Sequence, residues 1–147
     1  MLNEEFLRGL EQFNRHEFYA CHDTLEALWM ESAEPHKTFY QGILQVAVAC
    51  YHLGNKNLRG AMILLGEGAR RLHSYQPDYE GVDVSILMEE SLTLLQFLQQ
   101  ASPLEVETLV ELLGSGSALE SSYTATVPPL PKIVLGDEYK EGEQRLE

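Results

Sequence analysis

His22 and Glu26 stand one helical turn apart in a stretch that reads as a helix, and they share its face with Phe18, Leu25 and Trp29. The next predicted helix carries Gln41, Gln45, Val48 and His52 on one face at the same kind of spacing. If the two helices form a hairpin, as the short Ala33-Glu34-Pro35 connection favours, then His22, Glu26 and His52 converge in an apolar surround. Two imidazoles and a carboxylate can bind a divalent metal such as zinc, iron or manganese. A carboxylate held beside a histidine in low dielectric can also act as a general base. These three residues are therefore the candidate catalytic and metal-ligating set, and Trp29, Gln41, Gln45, Tyr51 and Asn55 are the candidate binding residues.

The competing reading is a hydrogen-bonded polar network that fixes how the two helices register, and the spacing favours it. A single His-x-x-x-Glu pair lacks the doubled Glu-x-x-His pattern of di-iron bundles and the His-Glu-x-x-His spacing of zinc proteases. Elsewhere the chemistry is thinner. Cys21 and Cys50 read as inert core thiols, with a redox pair left open. His36 sits in a first helical turn with little company, and His73 is placed to meet a helix C-terminus. Arg59, Arg70 and Arg71 read as a solvated or salt-bridged face, and no glycine-rich phosphate loop follows a strand.

The elements that must position these groups are helices throughout. Phe6, Leu10 and Phe13 predict a helix over 3–14 with Asn3 as its cap, followed by one over 17–32. The segment 36–53 is apolar nearly all round, which predicts a central helix covered on several sides. Gly54-Asn55 supplies a left-handed stop, and Asn55 or Asn57 can cap the next helix. That fourth helix buries Leu58, Met62, Leu65, Ala69 and Leu72. Its Gly60, Gly66 and Gly68 weaken it and let a neighbour come close. Residues 75–81 read as a loop, 83–100 as a fifth helix, and Ser102-Pro103-Leu104-Glu105 as the capping box of a sixth that ends at Gly114. No strand alternation precedes residue 120.

This pattern predicts an all-α, single-domain bundle of five to six helices spanning 1–114, followed by a tail over 115–147. Within the tail, 126–135 is rich in proline and cannot be helical. Val127, Leu130, Ile133 and Leu135 would be costly to leave in water, so the segment is expected in a groove of the bundle or of a second subunit. The charged end has a disordered composition.

A chain of 147 residues with 44% hydrophobic content can bury one core unaided. Its 23 acidic against 10 basic residues give a formal charge of −13, which disfavours nucleic acid and anionic membranes as partners. The absence of a signal peptide or a membrane-length apolar run, and the presence of only two cysteines, point to the reduced cytoplasm.

Phe13-Asn14, Phe18, Ala20-Cys21-His22-Asp23, Leu25-Glu26 and Trp29, then Tyr40-Gln41-Gly42-Ile43-Leu44-Gln45-Val46-Ala47, His52, Gly54-Asn55 and Gly60-Ala61, together resemble the domain of unknown function 309 family. That family consists of small all-helical bacterial and archaeal proteins, and the likeness runs over about residues 6–73. The family typically shows His-Glu where this chain has His22-Asp23, a shorter carboxylate. The resemblance implies a helical bundle in a bacterial-type cytoplasm and supplies no activity. Three functional readings stay open: a non-enzymatic binding or scaffold protein with an aromatic-lined groove (Trp29, Tyr40, Tyr51); a metal-dependent, hydrolase-like enzyme using His22, Glu26 and His52; and a homodimer that exchanges its tails.

Overall fold

Most of the helices begin where a side chain can satisfy the backbone donors of the first turn. The computed structural model describes residues 3–115 and 127–136. Within them, Asn3 accepts hydrogen bonds from the Glu5 and Phe6 N–H groups (2.7 and 3.3 Å) and opens α1 (Glu4–Asn14). Helix α2 spans Phe18–Glu31 and α3 spans His36–Gly54. The Asn57 side chain caps α4 (Leu58–Leu72) through the Gly60 N–H (3.0 Å), and the Asp83 side chain caps α5 (Val84–Gln100) through the Ile86 N–H (3.0 Å). The predicted capping box is complete in α6 (Pro103–Ser115). There the Glu105 N–H donates to Ser102 Oγ (3.2 Å) and the Ser102 N–H to Glu105 Oε1 (3.1 Å).

The described residues are all-α apart from one small hairpin, as the periodicity predicts. Helix α3 is the central element. It packs against α2 on one side and α4 on the other, and buries Phe39, Ile43, Val46, Ala47, Cys50 and Leu53. Helix α1 lies on α2 and α5 lies on α4. Phe6 packs its ring against Phe39 and Tyr40 (centroids 5.9 and 5.1 Å apart), tying the first helix to the third.

Helices α3 and α4 meet backbone to backbone. A Cβ on Gly68 would stand 2.9 Å from the Gly42 carbonyl oxygen and 2.9 Å from a Val46 methyl. The approach expected of the α4 glycines is thus real at Gly68. Gly66 faces only Leu95, at an ordinary 3.8 Å.

Two local expectations are corrected. Gly54 stays helical, and Lys56 (φ 65°) takes the left-handed position, because the α3 ladder runs on and its last carbonyls accept from the Asn55 N–H. Residues 78–83 form an antiparallel hairpin of β1 (Asp78–Tyr79) and β2 (Val82–Asp83), turned by Glu80 (φ 49°) and Gly81 (φ 80°). Strands of two residues are too short for alternation to register in a sequence.

Residues 127–136 run extended across the end of α1, the hairpin and α5. They bury Val127, Leu130 and Ile133, and Leu135 forms a bridge with Val82. The linker-like 116–117 and the charged end 137–147 lie outside the described residues.

Candidate functional site

Helix α2 turns Phe18, Cys21, Leu25 and Leu28 inward, and this fixes where its polar residues go. His22, one position past Cys21, sits at the rim of the buried stripe. Its Nε2 lies 3.1 Å from Glu26 Oε2 and its Nδ1 lies 3.2 Å from Asp23 Oδ1. A neutral imidazole has one N–H and can donate to only one of these carboxylates, whereas the protonated ring donates to both. The His22 side chain is 34% exposed and that of Glu26 is 47% exposed. The expected apolar enclosure is therefore corrected: the pair lies at a half-wet helix edge, because the space between α2 and α3 is already filled by Cys21, Leu25, Leu28 and the α3 core residues.

His52 is not joined to this pair. Its Nδ1 lies 3.4 Å from Asn57 Nδ2, in the turn that leads into α4. Gln45 also points away from α2. Its amide donates to Glu67 Oε2 (3.0 Å), and its carbonyl oxygen accepts from Arg71 Nη1 (3.1 Å), both on α4. Two of the α3 polar side chains thus find partners on α4 or in the turn before it rather than meeting His22, and Gln41 is half-buried. Asn55 ends α3 by donating its backbone N–H to the Tyr51 and His52 carbonyls (3.2 and 3.1 Å). Among the described residues, no group of three or more His, Cys, Asp or Glu side chains is gathered as a metal ion would require. His22 with Glu26 supplies two donors, and Asp23 stands on the far side of the ring.

Aromatic contact, rather than hydrogen bonding, links α2 to α3 on this face. The Tyr19 and Tyr51 rings lie 5.6 Å apart, with Tyr19 6.3 Å from the His22 ring and Tyr51 6.2 Å from the His52 ring. Tyr19 is 62% exposed and Tyr51 39% exposed. Tyr19 is absent from the residues that the sequence pattern singles out. Its position three residues before His22 and seven before Glu26 puts it on the same stripe, and that is the signal that marks it.

The other predicted groove residues are dispersed. Tyr40 is buried between Phe6 and Phe39 and lines no open groove. Burial pushes its hydroxyl pKa up, with Glu80 and then Tyr79 adding to the effect. Trp29 is half-buried, with Lys37 Nζ 5.2 Å from its ring centre, and its indole N–H is buried without a partner among the described residues.

His36 has more company than its first-turn position suggests. Its Nδ1 lies 2.7 Å from the Tyr79 hydroxyl and 3.5 Å from Glu80 Oε1, while the Tyr75 hydroxyl donates to the Pro35 carbonyl (2.6 Å). These contacts clamp the hairpin to the start of α3. They join residues about forty apart, so no local spacing could announce them.

Both thiols are buried and free. Cys21 donates to the Gly9 carbonyl (3.3 Å). Desolvation pushes its pKa up to about 12 and pushes that of Cys50 up further, with Cys21 contributing. Neither is a thiolate nucleophile at neutral pH.

The sequence profile of the family described as Domain of unknown function (DUF309) matches residues 6–64, so the resemblance to that family stands over the stretch from α1 into α4. It includes His22, Glu26, Tyr51 and His52 and stops short of α5 and the extended segment. The uncharacterized protein YpuF of Bacillus subtilis (strain 168) is similar, at 29% identity over 89 residues covering 58% of this chain and 51% of YpuF. The chain thus spans about half the length of the curated relative it matches.

Proposed function

We propose that this is a non-enzymatic binding protein, and that its contact surface is the ridge where α2 meets α3. The observation that carries the reading is the pair of water-exposed tyrosine rings, Tyr19 and Tyr51, in contact across two helices and flanked by His22 and His52. Tyrosine offers a large, stiff, amphipathic contact area at small entropic cost, which is why it is enriched at recognition surfaces. The carboxylates of Asp23 and Glu26 and the imidazoles add polar groups at its edge.

The net charge of −13 supports a partner that is not a polyanion. Two buried free thiols support work in a reducing, cytoplasmic setting. No described helix is long and apolar enough to cross a membrane. The hydrolase-like alternative needs His52 beside His22 and Glu26, and the contact with Asn57 draws it the other way.

Photo-crosslinking in extract of the source organism tests the proposal. A benzophenone side chain at position 19 or 51 should yield the same discrete adduct, and the same group at exposed Ile63 on α4 should yield none. Absence of an adduct at positions 19 and 51, or equal labelling at all three positions, sinks the reading.

A further inference from the structure

The segment 127–136 is held mainly by its backbone. The Asn14 side chain takes both polar backbone groups of Ile133: Nδ2 donates to the Ile133 carbonyl and Oδ1 accepts from the Ile133 N–H, each at 2.8 Å. Glu90 Oε1 accepts from the Lys132 N–H (2.9 Å), the Asp83 N–H donates to the Val134 carbonyl (2.8 Å), and the Gly136 N–H donates to the Gly81 carbonyl (2.7 Å). Any non-proline residue could make these bonds. Selectivity comes from the buried side chains: Val127, Leu130 and Ile133 stand three residues apart, and Pro131 is buried between the last two.

The segment underfills its seat. A cleft of about 530 Å³ remains between it and α5, lined by Ile86, Glu89, Glu90 and Thr93 on the helix and by Pro128, Pro129, Lys132 and Val134 on the segment. Two carboxylates face this space against the single cation of Lys132, whose backbone N–H already binds Glu90, and Pro129 adds no second positive charge.

We propose that this seat is a peptide-recognition groove for another protein. Its ligand is an extended, proline-containing segment with apolar residues three apart and a basic side chain reaching the Glu89/Glu90 cleft. The chain's own 127–136 is a displaceable resident. The groove lies on α1, the hairpin and α5, so it stands or falls apart from the tyrosine ridge.

The test uses the full chain and a fluorescent peptide of residues 126–136, followed by anisotropy. Ile133→Asp unseats the resident without touching the groove, and Lys132→Pro does so more gently by removing one N–H donor. The released chain should bind the peptide at least about tenfold more tightly than the wild-type chain does, with competition by unlabelled peptide. A peptide carrying Pro129→Arg should bind about tenfold more tightly than the native peptide, and this gain should vanish at high salt or with Glu89→Gln.

Failure of either released variant to bind while it melts cooperatively overturns the proposal. If both variants lose cooperative melting, the segment is a fixed part of the core and the proposal is likewise overturned. A wild-type dimer in light scattering that Ile133→Asp converts to monomer would assign the groove to a second copy's segment and also overturn it.

Discussion

The α3–α4 seam and the α2–α3 ridge share a central helix and hold their partners by different means. At the seam, backbone approaches backbone through Gly42 and Gly68, and Gln45, Glu67 and Arg71 close its edge with hydrogen bonds. At the ridge, the outermost contact is one tyrosine ring leaning on another, with the imidazole and carboxylates of His22, Asp23 and Glu26 half in water beside it. The seam has no room to change, whereas the ridge can be altered with little effect on the fold. A surface that must meet a partner belongs to the second kind.

The largest expected effect concerns the core thiols beneath both regions. Folding raises the pKa of Cys21 from 9.0 to about 12 and that of Cys50 further, so the native state favours the protonated form. The stabilisation is complete below pH 9 and is lost as pH rises through the folded-state values, because the unfolded chain ionises first. Stability in urea should fall steeply between pH 9 and 12, by a few kcal/mol, and Cys50→Ala should flatten that limb. Native protein at pH 8 should leave both thiols unreactive to a disulfide reagent until denaturant is added.

Gly68→Ala should come next, costing about 1–3 kcal/mol in urea unfolding because its Cβ meets the Gly42 carbonyl oxygen. Gly66→Ala, two residues away and facing Leu95 at an ordinary contact distance, should do the opposite and stabilise by up to about 1 kcal/mol through helix propensity. Equal responses at the two positions would erase the distinction between a tight seam and an ordinary helix face. Ser91→Ala should be neutral or stabilise by up to about 1 kcal/mol, since its buried hydroxyl has no partner among the described residues. The smallest change is expected at the ridge, where His22→Ala should stay within about 0.5 kcal/mol of wild type. A loss of several kcal/mol there would restore the structural-network reading of the His22–Glu26 pair.

The helices were legible because caps and apolar stripes are local. Asn3, Asn57, Asp83 and the Ser102/Glu105 box all act within three residues of the turn they satisfy. The candidate site was legible only as far as one helix reaches. His22 and Glu26 lie side by side because i and i+4 face each other. The partner of His52 depends on the turn after α3, and that of Gln45 on how α4 rotates against α3. Both neighbouring helices offered polar partners, and a pattern of spacing cannot rank the two. His36 with Tyr79, and Asn14 with Ile133, join distant parts of the chain through contacts that only the assembled fold creates.

The grip of Asn14 on Ile133 spans 119 positions of sequence. Helices α1 to α4 touch mostly their neighbours in order and can assemble while the chain is still being made. That last clasp must wait until residue 133 has left the ribosome, long after Asn14 has. A nascent molecule therefore passes through an interval with its helices gathered and its hindmost groove vacant, during which anything resembling the missing segment can arrive first.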